Sequence, residues 1–391
     1  MLLSQLPPGP FVRLAALLAE VKPGKEPISL AVGDPSGKVP DFITAAMVKE
    51  TASFGHYPAI TGTEAWRRAA GHWLNTRFEL NGRIDAERHV LPLMGTREGL
   101  FSVLFPLMPL SKNGGKPVVA MPNPFYQCYA AAVLAAGAEP AYVTAGESNG
   151  FLPDYASLPQ ATLDRLVAVY ICSPSNPEGA VADEDYWQRL FALAEKHDFI
   201  VLADECYADI YYDTKPACAL PTRLKQSDGF SRLLTFHSLS KRSGLPGLRS
   251  GMVAGCGRLI EKFRAFRTIA CPTVPGPLLA AAVAAWSDEA HVAANRVAYG
   301  EKMAAAQKIL GPHFVRPEGG FFLWLKTGNG EETALRLWRE EGIRVLPGAY
   351  LGREIDPGKP QSNPGFSYIR LALVSDLSTI MTALERVAKV L

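Results

Sequence analysis

The chain has 391 residues, with 40 Lys and Arg against 38 Asp and Glu, so its formal net charge is +2 at pH 7. This near balance argues against a nucleic-acid partner, because nucleic-acid binders usually carry a clear basic excess. Hydrophobic residues make up 48% and charged residues 20%, which is too apolar for a disordered chain. The longest apolar runs reach nine residues, as in 278–286, and a spanning helix needs roughly 20, so no membrane partner is expected.

The start of the chain, MLLSQLPPGP, has no charged residue ahead of a long apolar stretch and no small-residue cleavage site. We therefore expect no secretory leader and a cytoplasmic location. The six cysteines contain no CxxC pair, and no His lies at a zinc-finger distance from two of them. This pattern favours reduced, mostly buried thiols and no metal site.

The first predicted element is a short helix, Phe11–Val21, which Pro and Gly bracket as an N-terminal arm. From about residue 88, short apolar runs alternate with longer helical patterns, which indicates βαβ units and a mainly parallel sheet. The predicted strands of this sheet are Val90–Met94, Val118–Met121, Pro140–Val143, Val167–Cys172, Ile200–Ala203, Leu233–His237 and Gly251–Ala254. The helices predicted between them include Glu98–Leu107, Tyr126–Ala136 and Asp183–His197.

The pattern changes after residue 258, where helices are predicted at Arg258–Thr268, Leu278–Ser287 and His291–Leu310. They are followed by the strand Phe321–Lys326, the helix Glu331–Glu341, the strands Ile343–Leu346 and Tyr368–Leu373, and the helix Leu377–Val390. A Gly- and Pro-rich segment, Pro347–Gly365, is expected to be a long and mobile loop.

These elements predict the α/β class, with a large domain built on a mainly parallel seven-stranded sheet flanked by helices, plus a smaller α/β domain. We assign residues 1–40 to the N-terminal arm and part of the small domain. Residues 41–285 form the expected large domain, and residues 286–391 form the small C-terminal domain.

The strongest local motif is Ser238-Leu239-Ser240-Lys241, directly after a predicted strand, with Arg249 eight residues beyond the lysine. Open α/β sheets bind ligands at the carboxyl ends of their parallel strands. A lysine held there among small residues can have a lowered pKa and act as a nucleophile toward carbonyl groups. Taken alone, the motif favours a solvated loop lysine.

Three further motifs follow predicted strands. Asp204-Glu205-Cys206-Tyr207 places an acid where it could pair with a cationic ring, although a loop carboxylate is the simpler explanation. Ser173-Pro174-Ser175-Asn176-Pro177-Glu178-Gly179 is a rigid turn with a free amide in its middle. Gly95-Thr96-Arg97-Glu98-Gly99 offers backbone N–H groups suited to a phosphate, but it matches neither the GKS/GKT loop nor GxGxxG.

The combination of these motifs is more specific than any one of them. Six polar residues follow one another in the order Asn176, Asp204, Tyr207, Lys241, Arg249 and Arg370. This order resembles the aspartate-aminotransferase-like superfamily, the fold type I enzymes that use pyridoxal 5′-phosphate. The resemblance covers nearly the whole chain, from Gly33-Asp34-Pro35 to Arg370.

The resemblance implies a role for each residue around the cofactor. Lys241 would hold pyridoxal phosphate covalently and, once freed, transfer the proton of the substrate Cα. Asp204 would pair with the pyridine nitrogen, which lets the ring accept electrons. Tyr207 and Asn176 would bond the phenolic oxygen, and Tyr126 would stack on the ring, with Phe125 as the second choice. The catalytic residues implied are Lys241, Asp204 and Tyr207.

The same resemblance implies the phosphate and substrate contacts. The phosphate would be bound by backbone groups of Thr96 and Arg97, by the Ser238 hydroxyl and by Arg249. Tyr57, in His56-Tyr57-Pro58, resembles the tyrosine that reaches the phosphate from the neighbouring subunit, which implies a homodimer with shared active sites. Substrate contacts would come from Arg370, Asn176 and Gly33. The planar guanidinium of Arg370 suits an α-carboxylate, because both groups offer two parallel bonding positions.

The choice of substrate rests on the sequences of four longer segments. Leu30–Pro35, Pro124–Gln127, Leu346–Gly352 and the segment from Asn363 to Val374 resemble bacterial N-succinyldiaminopimelate aminotransferases of lysine biosynthesis. That family exchanges an amino group between N-succinyl-LL-2,6-diaminopimelate and 2-oxoglutarate, which are small molecules with several carboxylates. Arg97, Arg13, Lys22 or the backbone near Gly348 could receive a distal carboxylate, and the sequence does not choose among them.

The sequence departs from the family pattern at two points, and three alternative functions stay open. Arg97 is large for its position, and no counterpart is found of the arginine that aspartate aminotransferases use for a distal carboxylate. The main alternative is a broad aspartate, alanine or aromatic aminotransferase, and a β-lyase on the same fold is less favoured. A non-catalytic effector-binding domain is disfavoured, because the aminotransferase pattern starts by residue 30 and leaves no space for a winged-helix segment.

Overall fold

The structure is a computed structural model that describes residues 6–35 and 37–391. Its strands are β1 (Ile28–Ser29), β2 (Val90–Leu93), β3 (Val118–Asn123), β4 (Glu139–Thr144), β5 (Leu166–Cys172), β6 (Ile200–Asp204), β7 (Leu233–Ser238), β8 (Gly251–Gly255), β9 (Phe322–Lys326), β10 (Ile343–Arg344), β11 (Leu346–Pro347) and β12 (Tyr368–Ala372). Its helices are α1 (Pro10–Leu18), α2 (Asp41–Lys49), α3 (Glu64–Arg77), α4 (Thr96–Ser102), α5 (Leu104–Leu107), α6 (Gln127–Ala135), α7 (Gln160–Leu163), α8 (Glu184–His197), α9 (Ala219–Gln226), α10 (Leu239–Arg242), α11 (Gly257–Ala270), α12 (Gly276–Trp286), α13 (Ala290–Leu310), α14 (Gly330–Glu341) and α15 (Leu377–Val387).

The central sheet has seven strands in the order β2-β8-β7-β6-β5-β3-β4. Strand β8 runs antiparallel to both β2 and β7, and the pairs from β7 to β4 are parallel. The expected mainly parallel seven-stranded sheet is therefore confirmed. Its strands read as continuous apolar runs because helices cover both faces, and every residue of β5 is buried.

Side chains alternate along these strands between two cores, as the strand period of two requires. In β5, Val169 and Ile171 point to a core shared with α3, α8 and α12, where Trp66 and Trp187 are fully buried. The alternate residues Ala168 and Tyr170 point to a second core shared with α4, α6 and α11. Register pairs Cys172 with Asp204 across β5 and β6, so the carboxyl ends of these strands lie at one edge.

The C-terminal part of the chain forms two smaller sheets. Strands β11, β12 and β9 form an antiparallel sheet, while β1 and β10 form a parallel pair. Leu30, far away in sequence, packs with Met303, Leu323 and Ile380 in one apolar cluster. The division into residues 1–40, 41–285 and 286–391 stays a prediction, and residues 1–5 and Ser36 of its first range lie outside the described residues.

Three sequence predictions are corrected by the structure. The single strand predicted at Ile343–Leu346 is two strands, because β10 pairs with β1 while β11 pairs with β12 in another sheet. The single helix predicted at Glu98–Leu107 is divided into α4 and α5. The segment 347–365 contains two short 3₁₀ turns and is tied to β3, because Asn123 exchanges two hydrogen bonds of 2.9 Å with the Arg353 backbone.

No helix within residues 6–35 and 37–391 is both long enough and apolar enough to cross a membrane.

Candidate active site

A cavity of about 580 Å³ opens at the edge of the central sheet where β5, β6 and β7 end. It collects residues from the large sheet, the N-terminal segment and the C-terminal strands. The sequence-predicted site residues that line it are Gly33, Thr96, Arg97, Tyr126, Asn176, Asp204, Tyr207, Ser238, Lys241, Arg249 and Arg370.

Lys241 lies on the one-turn helix α10, directly after β7. Ser238 ends the strand and caps this helix, because its Oγ accepts the backbone N–H two residues later at 3.1 Å. The Lys241 Nζ donates to the carbonyl oxygen of Gly33 at 2.5 Å. Burial lowers the pKa of Lys241; Cys206 and Asp34 oppose this shift, while the charges of Arg370 and Arg249 act in the same direction as burial. A lowered pKa makes the neutral, nucleophilic amine more available.

Asp204 is the last residue of β6 and is 3% exposed. Its Oδ2 accepts the Tyr129 hydroxyl at 2.8 Å, and the Tyr129 ring stacks on Tyr170 with 4.4 Å between the centroids. Burial raises the pKa of Asp204, while the bonds from Tyr129 and Cys206 oppose that rise. A buried carboxylate with oriented lone pairs suits a cationic ring nitrogen in the cavity.

Arg370 lies on β12, the middle strand of the three-stranded sheet, and is 4% exposed. Its Nη1 and Nη2 donate to Asn176 Oδ1 and to the Ala31 carbonyl oxygen, both at 2.9 Å. Its Nε has no hydrogen-bond partner among the described residues. Burial lowers the pKa of Arg370 to about 10, so the side chain stays charged at neutral pH. The hydrogen-bond partners of this buried cation within residues 6–35 and 37–391 are neutral oxygens, which suits it to an incoming carboxylate.

Arg97 and Tyr126 form another part of the wall. The Arg97 Nε donates to the Tyr126 hydroxyl, and the guanidinium carbon lies 5.6 Å from the ring centroid. Burial raises the pKa of Tyr126 to about 12, so the phenol is neutral at pH 7. The charge of Arg97, which is exposed, is therefore not neutralised by its partner.

The turn ahead of α4 brings Thr96 next to Arg249. Gly95 has a φ of +79°, and a Cβ there would lie 2.3 Å from Arg249 Nη2, so this position requires glycine. Arg249 itself has a φ of +53° and donates to the carbonyl oxygens of Pro246 at 2.9 Å and Met94 at 3.4 Å.

Some sequence-predicted residues are not brought to the cavity. Tyr57 is fully exposed on this chain and lies outside the cavity lining. Of the four places considered for a distal carboxylate, Arg97 lines the cavity, whereas Arg13, Lys22 and Gly348 do not. Arg13 instead stacks on the Tyr350 ring at 3.8 Å.

Sequence reasoning missed several residues that line the cavity, including Phe11, Gln127, Tyr129, Cys206 and Phe322. Tyr129 carried a usable signal, because it lies one helical turn after Tyr126 on α6. Phe322 carried none, because its strand lies far from the motifs in sequence and only the fold places its ring 4.2 Å below the Arg370 guanidinium.

Comparisons with known proteins agree with this geometry. Residues 25–378 match the model of the family described as aminotransferase class I and II. The chain is 30% identical over 382 residues to the LL-diaminopimelate aminotransferase of Dehalococcoides mccartyi, covering 95% of this chain and 93% of that protein. A solved aminotransferase from Neisseria meningitidis is 38% identical with a TM-score of 0.93, covering 100% and 99% of the two chains. The aminotransferase AspB from Helicobacter pylori is 35% identical with a TM-score of 0.89, covering 98% of each.

Members of this family use pyridoxal 5′-phosphate, and the cavity fits that group. A partly buried amine, a buried carboxylate and an arginine all face one space, and the buried Nε of that arginine has no partner in the part of the chain that the structure describes. An aldehyde requires a nucleophilic amine, a pyridinium nitrogen requires a carboxylate, and a substrate carboxylate requires a cation. The chain therefore belongs to the class I and II aminotransferases, with pyridoxal 5′-phosphate as its cofactor.

Proposed function

We propose that this aminotransferase exchanges an amino group between N-succinyl-LL-2,6-diaminopimelate and 2-oxoglutarate, a step in the synthesis of diaminopimelate and lysine. The observation that carries the proposal is Arg370, a buried cation that lines the same cavity as Lys241 and whose Nε has no partner in the described part of the chain. This arrangement supports a substrate with an α-carboxylate beside the reacting amine.

Within the proposal, the bound cofactor supplies the electron sink for the reaction. Lys241 holds the cofactor at rest and afterwards moves the proton of the substrate Cα, for which its lowered pKa is suited. Asp204 keeps the ring nitrogen protonated, and the Tyr129 hydroxyl orients that carboxylate. Tyr207 and Asn176 bond the phenolic oxygen of the cofactor.

The remaining cavity residues hold the cofactor in place. Tyr126 stacks on its ring, while Ser238, Arg249 and the backbone of Thr96 and Arg97 bind its phosphate. Gly33 contributes bare backbone to the cavity wall beside the substrate. A side chain does not fit there, because a Cβ would lie 2.7 Å from the Phe322 ring.

The protein acts as a homodimer with shared sites in this proposal. Tyr57 supports it, because this tyrosine, in the position that the resemblance indicates, is fully exposed and free to reach a partner subunit. It would reach the phosphate bound in the partner subunit.

The choice of a substrate with several carboxylates rests on Arg97. Its exposed charge is not neutralised by Tyr126 and lies in the cavity with the Arg370 guanidinium. A succinylated diaminopimelate and 2-oxoglutarate both place a second carboxylate within such a pocket, and Arg97 can bind it.

A second candidate substrate is LL-diaminopimelate without the succinyl group. It is favoured by the relative named an LL-diaminopimelate aminotransferase, which matches 95% of this chain. Asp34 also lines the cavity and could accept the free distal ammonium. A broad aspartate, alanine or aromatic aminotransferase remains the runner-up.

The class of reaction is tested by loading the protein with pyridoxal 5′-phosphate and recording its spectrum. We expect a band above about 400 nm that borohydride removes and that Lys241→Ala lacks. A protein that takes up no cofactor would contradict the proposed catalytic role of Lys241.

The substrate is tested by single-turnover spectra of the loaded enzyme with N-succinyl-LL-diaminopimelate, LL-diaminopimelate, aspartate and phenylalanine. We expect the succinylated compound to bleach the band fastest. Faster bleaching by LL-diaminopimelate would replace the substrate with the second candidate. Equal rates for all four would favour the broad enzyme.

A further inference from the structure

A buried ion pair lies outside the cavity, behind the wall that carries Arg249. Arg267 on α11 is 1% exposed, and its Nη1 donates to Glu98 Oε1 on α4 at 2.5 Å. Its Nη2 donates to the Pro272 carbonyl oxygen at 3.1 Å, and Ser102 also donates to Glu98 Oε1 at 2.9 Å. The carboxylate of Glu98 is therefore held in one orientation. Neither Glu98 nor Arg267 lines the cavity.

The second oxygen of Glu98 faces the cavity wall. Oε2 accepts the backbone N–H of Met94 at 3.2 Å, at the end of the turn that leads into α4. The carbonyl oxygen of the same Met94 accepts Arg249 Nη2 at 3.4 Å. Arg267, Glu98, Met94 and Arg249 are thus joined by consecutive hydrogen bonds.

Few hydrogen bonds among the described residues hold the Arg249 side chain in position. Its side chain is exposed in the cavity, and its other hydrogen bond goes to the Pro246 carbonyl oxygen of its own loop at 2.9 Å. The guanidinium lies close to the Gly95 backbone, because a Cβ added at that position would lie 2.3 Å from Nη2. The position of the guanidinium therefore depends on the Met94–Gly95 backbone, which Glu98 holds.

We propose that Glu98, oriented by Arg267, is a positioning residue that sets Arg249 for the phosphate of the cofactor. The inference rests on the proposed contact between Arg249 and that phosphate. Glu98 touches neither cofactor nor substrate, and it acts through the Met94 backbone. The competing explanation is that the Glu98–Arg267 pair only stabilises the packing of α4 on α11.

The test compares two ligands that differ in the phosphate alone. The affinity of cofactor-free, full-length protein is measured for pyridoxal 5′-phosphate and for pyridoxal, by the absorbance of the bound form. Since only the first ligand uses Arg249, we expect Glu98→Gln to weaken pyridoxal 5′-phosphate about tenfold, or about 1.4 kcal/mol. Pyridoxal should bind within about twofold of the wild type.

The matched control is Glu195→Gln. Glu195 also pairs with a buried arginine, Arg223, at 2.6 Å, and it lies outside the cavity lining. We expect this variant to change neither affinity. Equal weakening of both ligands by Glu98→Gln, or the same effect in Glu195→Gln, would show a general loss of stability and overturn the proposal.

A double-mutant cycle tests whether Glu98 acts through Arg249. Once Arg249→Ala has removed the phosphate contact, adding Glu98→Gln should cost little more affinity for pyridoxal 5′-phosphate. Additive losses would overturn the proposed route. A wild-type protein that binds pyridoxal 5′-phosphate but transfers no amino group would contradict the proposed function and leave this positioning role standing.

Discussion

Arg370 places the strongest single constraint on the chemistry. A buried guanidinium is costly unless it is paired, and here its two bonded partners are the neutral oxygens of Asn176 and Ala31. Burial lowers its pKa to about 10 without neutralising it at pH 7. Arg370 thus stays a buried cation bonded to neutral oxygens, and the partner we propose for its charge is a substrate carboxylate.

We predict that Arg370→Lys lowers kcat/KM for α-amino acids by about 30-fold or more, because a point charge cannot replace a two-pronged contact and about 2 kcal/mol is lost. Half-reaction kinetics with glutamate measure the effect. An amine that lacks the α-carboxylate is the control, and its rate should change little. An equal loss for both substrates would contradict the proposed contact.

The second prediction at this scale concerns Tyr129, whose hydroxyl is the side-chain donor to Asp204 Oδ2. In Tyr129→Phe the ring can still stack on Tyr170, but the bond that opposes the raised pKa of Asp204 is lost. That pKa therefore rises further, the carboxylate protonates at higher pH, and the acid limb of kcat moves upward. We expect kcat at neutral pH to fall about tenfold, as for the loss of a bond to a charged group.

A pH–rate profile of Tyr129→Phe beside the wild type measures the shift of the acid limb. Thermal unfolding of the same variant serves as the control, and it should show a small change. An unchanged acid limb would mean that Tyr129 does not tune the carboxylate.

At the scale of elements, a buried acid and a buried base meet near the carboxyl ends of β6 and β7: Glu205 directly follows β6, and His237 lies on β7. His237 Nε2 lies 3.5 Å from Glu205 Oε2, and both side chains are fully buried. Burial raises the pKa of Glu205 to about 7 and lowers that of His237 to about 3. Around them, Arg77 and Arg242 hold the pKa of Asp209 below its ordinary value despite burial. Between about pH 4.5 and 6.5 the folded pair therefore carries its one proton on Glu205, whereas the unfolded chain carries it on His237.

The raised pKa of Glu205 and the lowered pKa of His237 have opposite effects on the pH dependence of stability, so they cancel. Removing one of the two groups should therefore reveal the effect of the other. In Glu205→Gln, the unfolded chain still takes up a proton at His237 below about pH 6.5 while the folded chain does not. Stability should then fall with acidification by up to about 1.4 kcal/mol per pH unit relative to the wild type. Urea unfolding at pH 6.5 and 5.0 measures this, and parallel profiles of variant and wild type would contradict it.

The elements that the sequence predicts best are the strands of the central sheet, most of which are buried along nearly their whole length. All seven strands of the central sheet were found from their apolar runs. Six of them, including the antiparallel β2 and β8, are buried along nearly their whole length because helices cover both faces, while β4 is only partly buried. Helix α3 was missed, although Thr63 caps it and Trp66, Ala70, Trp73 and Leu74 repeat at helical spacing. The separation of β10 from β11 was beyond reach, since it depends on two different pairing partners and not on local residues.

At the scale of the whole molecule, the site was predictable only as a set of motifs at strand ends. Asn176, Asp204 and Lys241 follow neighbouring strands, so their meeting follows from the parallel sheet. Arg370 reached the same cavity through a separate sheet, and the resemblance supplied it where local pattern could not. The contribution of Phe11 depends on how the N-terminal segment packs, which no motif records.

The proposed dimer is tested by mixing two inactive subunits, one with Lys241→Ala and one with Tyr57→Ala. If Tyr57 serves the partner subunit, the mixed dimer contains one site with both native residues and one with neither. We expect about half of the wild-type activity per mixed dimer. If Tyr57 serves its own chain, or the protein is monomeric by sedimentation, mixing restores nothing.

The antiparallel direction of β8 determines where the chain can tolerate insertions and deletions. Since β7 and β8 are antiparallel neighbours, the chain between Ser238 and Gly251 leaves and returns at the same edge, and it carries both Lys241 and Arg249. A parallel partner would need a long crossover instead. Added or deleted residues in this hairpin connection would therefore displace both groups at once. By contrast, the connection around Gly229, at the opposite edge, can change length without moving either.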